Sequence, residues 1–205
     1  MKKIKSIIFD LGGVLININY KKTIKSFKEL GLKNESFYSQ KFQHKIFDEF
    51  ETGCVSPNEF IINLQKFCNG SKKDLISAWN NMILDLPEKR IQLIAKLRKN
   101  YDIYLLSNTN EIHIEEIKRI CGNKKYEAFE NLFKKVYYSH KINLRKPNVN
   151  VFKFVIDDNK LNPKNTLFID DSEQHINSAN KLGISCHLLQ GDILNLFPDI
   201  VQSIR

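Results

Sequence analysis

Asp10 closes the apolar run Ile7-Ile8-Phe9 and is followed at once by Leu11-Gly12-Gly13-Val14. Asp is poor in strand interiors, so a carboxylate that ends such a run suggests a task, either as nucleophile or as metal ligand. A second apolar run, Thr166-Leu167-Phe168-Ile169, ends in the pair Asp170-Asp171. Open α/β sheets bind ligands at the carboxyl ends of their strands, so two such runs suggest one anionic pocket. Clustered carboxylates suit Mg²⁺, a hard cation that keeps waters and bridges to phosphate. Residues 101–106 form another strand-like run, which ends at Ser107-Asn108-Thr109. A hydroxyl and backbone N–H groups at a strand-to-helix turn suit phosphate oxygens. Lys146, in Arg145-Lys146-Pro147, offers the compensating charge and would keep a nucleophilic Asp ionised. Lys141 and Arg145 are nearby alternatives for that role. An Asp nucleophile gives an acyl phosphate, which splits the transfer into two easier steps.

These residues need elements to carry them. Residues 4–9 read as the first buried strand. Residues 21–30 carry Ile24, Phe27 and Leu30 at helical spacing, and Gly31 suits a helix stop. Residues 36–50 read as a second helix on Phe42, Ile46, Phe47 and Phe50. Ser56-Pro57-Asn58-Glu59 is a capping box with proline at the first helical position, and Ser71 with Asp74 offers another. Residues 17–85 thus read as helical throughout, with Trp79, Phe60, Phe67 and Ile83 as their core. Beyond Pro87, strands at 101–106, 136–138, 166–169 and 184–188 alternate with helices around 91–97, 111–120, 148–158 and 173–182. Such alternation argues for a parallel sheet covered on both faces. The expected fold is therefore α/β: a Rossmann-like, doubly wound parallel sheet (residues 1–16 and 87–205) with an inserted α-helical cap domain (17–86). His113, His140 and His175 read as solvated or capping residues.

The 205 residues are 42% hydrophobic and 11% aromatic, enough for a real core, and no apolar run approaches the roughly 20 residues that span a bilayer. Lys2, Lys3 and Lys5 ahead of apolar residues imitate a signal peptide. Asp10 interrupts that run too early, and no small-residue cleavage site follows clearly, so a cytoplasmic protein is expected. The four cysteines are scattered without a CxxC pair and read as reduced thiols. The net charge is +9, but the lysines are spread along the chain, so no nucleic-acid or membrane partner is expected. A small phosphorylated metabolite fits the charge better. The sequence sets no oligomeric state.

Taken in order, Phe9-Asp10-Leu11-Gly12-Gly13-Val14, Leu105-Leu106-Ser107-Asn108-Thr109, Arg145-Lys146-Pro147 and Phe168-Ile169-Asp170-Asp171-Ser172 resemble the four motifs of the haloacid dehalogenase superfamily. The helical insertion after the first motif resembles the subclass with an α-helical cap. Glu51-Thr52-Gly53 falls where such caps dip a loop toward the active site. The resemblance implies a Mg²⁺-dependent hydrolase of a small phosphomonoester, in particular a sugar phosphate. Asp10 would be nucleophile and metal ligand. Ser107 and the Asn108 backbone would hold the phosphoryl group together with Lys146, beside Gly13. Asp171 would bind the metal directly and Asp170 support it, or the reverse, and Gly12 would lend its carbonyl. Gly12 departs from the pattern, because phosphatases of this superfamily usually carry a general-acid Asp there. That departure leaves two other readings open: a dehalogenase-type hydrolase, or a catalytically weak phosphate-binding or regulatory protein.

Overall fold

The computed structural model describes residues 4–33, 37–38 and 43–202. Its strands are β1 (Ser6–Phe9), β2 (Asp102–Ser107), β3 (Lys135–Tyr138), β4 (Thr166–Asp170) and β5 (Ser185–Leu188). They form one sheet in the order β3-β2-β1-β4-β5, and every pairing is parallel. The fold is α/β, Rossmann-like and doubly wound. Side chains alternate across a strand, and the core divides accordingly. Ile7, Phe9, Ile103, Leu105 and Ile169 belong to one buried cluster, whereas Ile8, Tyr104, Leu106 and Phe168 belong to another. Burial on both faces is why the strands read as continuous apolar runs.

The chain leaves β1 through α1 (Tyr20–Glu29), α2 (Lys45–Glu51), α3 (Pro57–Leu64) and α4 (Lys72–Asn80) before α5 (Glu88–Leu97) returns it to the sheet. Both capping boxes are present, at Ser56 with Glu59 and at Ser71 with Asp74. Helices α1–α4 bury their own aromatic cluster, in which Trp79 stacks on Phe27 and Phe47 and packs against Phe60. After the sheet helices α6 (Glu111–Cys121) and α7 (Asn123–Glu130), a short α8 (Ser139–Ile142) follows β3. Helices α9 (Val149–Asp158) and α10 (Glu173–Asn180) cover the face opposite α5 and α6, and α11 (Pro198–Gln202) lies near the end of the chain. No helix among the described residues is long and apolar enough to cross a membrane.

Several expectations need correction. The helix expected over 36–50 is described only from Lys45, where His44 caps it; Phe42 lies outside the described residues. Phe67 is 40% exposed rather than core, because α3 ends at Leu64 and Phe67 lies past it, against Phe37 and His44. Helix α7 was not expected. It follows Gly122 directly and buries only Tyr126 and Phe129, too sparse a pattern to read in sequence.

Candidate active site

The strand register assembles the site. Phe9 pairs with Leu105 on one side and Ile169 on the other. Asp10 and Asp170, the next residues along, therefore leave the sheet edge side by side, and Ser107 ends β2 nearby. The Asp10 amide donates to the Ile169 carbonyl at 3.0 Å, so the pairing continues into the catalytic turn. Strand β1 lies centrally, with chain crossovers leading away on both sides, the position where doubly wound sheets bind ligands.

Lys146 is fully buried between the two acids. Its Nζ donates to Asp10 Oδ1 at 2.6 Å and to Asp170 Oδ2 at 2.7 Å. Lys146, and not the alternative Arg145, which pairs with Asp48 and Glu51, thus supplies the charge beside Asp10. The Asn108 side chain fixes its loop: Nδ2 donates to the Lys146 carbonyl at 2.7 Å, and Oδ1 accepts from the Lys146 amide at 2.9 Å. Asn108 was expected to contribute only its backbone, so this clamp is a role the sequence did not suggest. The neighbouring Thr109 is held in turn by Ser139, whose hydroxyl accepts from the Thr109 amide and donates to its carbonyl.

Asp170 is saturated with donors. Its Oδ1 accepts from the Ser172 amide at 2.8 Å, and His175 Nδ1 lies 3.0 Å from both oxygens. His175 is thus neither solvated nor capping but part of the site. Its placement five residues after Asp170, in the first turn of α10, was the available signal. Burial alone would raise Asp170, yet Lys146 and His175 outweigh it and hold the carboxyl down at about 2. Burial pushes Asp10 up to about 7; Lys146 pulls against this, while Asp170 and Asp171 add to it. Burial works against the Lys146 charge, but the two carboxylates prevail and raise it above the ordinary lysine range.

The glycine turn is shaped by this crowding. Gly13 has φ +80°, and a Cβ there would collide with the Asp171 carboxylate. Glycine at 13 therefore lets Asp171 lie against the backbone. A Cβ at Gly12 would stand 3.3 Å from Ile18 Cδ1, so an apolar side chain already crowds the place from which an acid would reach.

Ligand oxygens of Asp10, Asp170 and Asp171 lie within 4.8 Å of one another. Three carboxylates facing one lysine carry excess negative charge, and their all-oxygen donor set fits a hard divalent cation. Asp10 and Asp171 open into a cavity lined also by Gly12, Ser107, Tyr20, Glu51 and Arg145. Tyr20 of α1, Glu51 of α2 and Met82 and Ile83 beyond α4 line another part of its wall. Among these walls, Glu51 at the end of α2 is only 6% exposed. Arg145 forks onto that helix, with NH1 2.6 Å from Asp48 and NH2 3.0 Å from Glu51. Gly53, at φ +70°, lets the following loop press on the His140 carbonyl, where a Cβ would collide, and Asn143 donates to the Thr52 carbonyl at 2.8 Å.

His113 of α6 also lines this cavity, buried and stacked on Trp79, with ring centroids 4.4 Å apart. Its Nε2 donates to the Trp79 carbonyl at 3.2 Å, so its Nδ1 accepts from Asn110 Nδ2. Burial lowers its pKa to about 4. The expectation of a solvated or capping histidine fails here, because a helix distant in sequence covers it. His140 is half-buried and donates from Nδ1 to the Thr109 carbonyl at 3.1 Å.

Residues 4–183 match the family model for haloacid dehalogenase-like hydrolases. The chain is 32% identical over 183 residues to the D-ribitol-5-phosphate phosphatase of Bacteroides thetaiotaomicron, which covers 88% of this chain and 89% of that protein. It resembles the crystal structure of a HAD family enzyme from the same organism, an aspartate-to-alanine variant in complex with magnesium and inorganic phosphate. The TM-score is 0.86 at 36% identity, covering 95% of this chain and 98% of that one. A predicted HAD-like family hydrolase from Porphyromonas gingivalis gives 0.81 at 29% identity, covering 98% of each.

Proposed function

The chain belongs to the haloacid dehalogenase-like hydrolases, and we propose that it is a Mg²⁺-dependent phosphatase of small sugar or polyol phosphates that works through phospho-Asp10. The observation that carries this reading is the buried triad of Asp10, Lys146 and Asp170, with Asp171 beside it. The similarity to a D-ribitol-5-phosphate phosphatase supports the substrate class. Residues 17–86 act as a cap over a core formed by the remainder of the chain.

Asp10, Asp171 and the Gly12 carbonyl would hold the metal. Asp170, already engaged by Lys146, His175 and the Ser172 amide, would orient the group around it. When bound, Mg²⁺ would supply positive charge for the phosphoryl oxygens and hold Asp10 ionised. Lys146 engages Asp10 Oδ1, which leaves Oδ2 to attack phosphorus. The bond to the leaving oxygen then breaks, and that oxygen keeps the electron pair. Ser107 and the Asn108 amide would face the phosphoryl group and donate to its oxygens, whereas the expected part of Gly13 falls away, since its amide donates to the Ile16 carbonyl at 2.8 Å. Water then attacks phosphorus, releasing phosphate and restoring the Asp10 carboxylate. Residue 12 bears no acid, so the departing oxygen takes its proton from water. General-acid help is worth roughly 10²–10⁴-fold, so turnover should fall steeply as the leaving alcohol becomes less acidic.

The test is phosphate release from a panel of polyol phosphates, sugar phosphates and an aryl phosphate, with Mg²⁺ and with EDTA. Metal-dependent release is expected, lost by about 10⁴-fold or more in Asp10→Asn. Activity that survives EDTA would favour a dehalogenase-type site instead, and near-full activity in Asp10→Asn would end the phospho-aspartate mechanism.

A further inference from the structure

We infer that Glu51 is the specificity-determining residue of this site, selecting a neutral, hydroxyl-bearing leaving group over an anionic one. The inference rests on the phosphatase reading above. It starts from position. Glu51 ends α2, is 6% exposed, and lines the same cavity as Asp10 and Ser107. Tyr20 lines that cavity too, and its hydroxyl is raised by burial and then by the charges of Asp171, Asp10 and Glu51. A small substrate with its phosphoryl group at Asp10 therefore meets Glu51 with its other end.

The bonding at Glu51 leaves it an acceptor. Gln43 Nε2 donates to Oε2 at 3.1 Å, and Arg145 donates to Oε2 from Nε at 3.2 Å and from NH2 at 3.0 Å. Among the described residues, none of these bonds falls on Oε1. Burial raises the Glu51 carboxyl, while Arg145 and the Gln43 hydrogen bond pull against it; as a carboxylate it accepts only, so Oε1 is suited to a substrate O–H.

Charge decides what is refused. Arg145 is shared between Glu51 and Asp48, whose Oδ1 lies 2.6 Å from NH1. The guanidinium is engaged on both sides, so the group that Glu51 leaves for a substrate at this end of the cavity is its acceptor Oε1. A carboxylate or second phosphate on the leaving group would be desolvated against it, whereas a hydroxyl would donate to it. Sites built to hydrogen-bond a hydroxyl discriminate strongly, because otherwise their buried polar atoms are left unpaired.

Glu51 also clasps the helical unit to the sheet domain, and that structural role must be separated from selection. Asp48 provides the control. It takes the other arm of Arg145 but does not line the cavity. The experiment compares wild type, Glu51→Gln and Asp48→Asn. It measures kcat and KM on ribitol 5-phosphate, on 2-phosphoglycolate as a carboxylated substrate, and on an aryl phosphate, all with Mg²⁺. Wild type should prefer the polyol ester by about 10²-fold or more in kcat/KM. Glu51→Gln should shrink that ratio at least 10-fold, through a higher KM for the polyol ester and a lower one for the carboxylated ester. Asp48→Asn should leave the ratio within about 2-fold. Glu51→Asp keeps the charge and shortens the reach. It should raise the polyol KM yet still refuse the carboxylate, and it carries the test if Glu51→Gln does not fold.

An unchanged ratio in Glu51→Gln, or an equal change in Asp48→Asn, would overturn the inference. So would an unchanged polyol KM in Glu51→Asp, or a wild type that cleaves both esters equally well. Each of these can occur while aryl phosphate is hydrolysed normally, and then the phosphatase reading stands. A wild type that releases phosphate from no ester removes both.

Discussion

The sheet edge and the seam beneath α4 each bury an ionisable side chain, and they hold it in opposite states. At the sheet edge Lys146 has no exposed surface, yet it stays charged between Asp10 and Asp170. At the seam His113 is almost as buried, but its ring meets an indole face, a carbonyl and an amide, and it stays neutral. Burial penalises charge in both places. The partner decides the outcome: two carboxylates overcome the penalty, and a carbonyl does not. The same physics thus holds one buried group charged and another neutral around a single cavity.

The largest effect should come from removing the lysine. In Lys146→Met, Asp10 and Asp170 would face each other without a cation. Breaking one partner out of a buried pair costs about 3–5 kcal/mol, so denaturant unfolding in EDTA should show a loss of that order. Phosphatase turnover should vanish with it. Mg²⁺ should restore more stability to this variant than to wild type, since the cation would take over part of the lysine's charge. A variant as stable as wild type in EDTA would mean that the pairing contributes little to the fold.

The seam offers the next largest effect, with pH as its lever. His113 titrates near 6.5 when unfolded and near 4 in the folded protein. Between those values the unfolded chain binds a proton that the folded one refuses, so stability falls as pH drops from about 6.5 to about 4. The difference of about 2.5 pH units corresponds to about 3 kcal/mol. His113→Gln keeps a donor and an acceptor but does not titrate. Its unfolding free energy should decline less than that of wild type across this window, and the two curves should run parallel above about pH 7. Parallel curves over the whole range would show that His113 is not held neutral.

How much of this was readable in advance depends on sequence distance. Asp10 and Asp170 come together because parallel register aligns two strand ends, and each strand ends visibly in the sequence. The capping boxes at Ser56 and Ser71 are local and were equally visible. His113 is covered by Trp79, 34 residues away, and Arg145 meets Glu51 across 94 residues. No local pattern encodes either contact. His175 lies between these extremes: its distance from Asp170 is short, but only the path of α10 turns its ring inward. Phe67 misled for the converse reason, since its apolar spacing continued beyond the end of α3.

The smallest effect tests whether the paired charges depend on where the backbone is held. Asn108 makes two hydrogen bonds to the Lys146 backbone and none to its ammonium group. Asn108→Ala removes both while leaving every charge in place. At about 0.5–1.5 kcal/mol per bond, the loss of stability should be about 1–3 kcal/mol, below that of Lys146→Met. The kinetic effect should fall on kcat rather than KM, because a displaced Lys146 misaligns Asp10 for attack but leaves the far end of the cavity intact. Small misplacements of reacting groups can cost about 10²-fold. If KM rose instead with kcat preserved, Asn108 would act on substrate binding directly, and the centre would owe its geometry to the ion pairs alone.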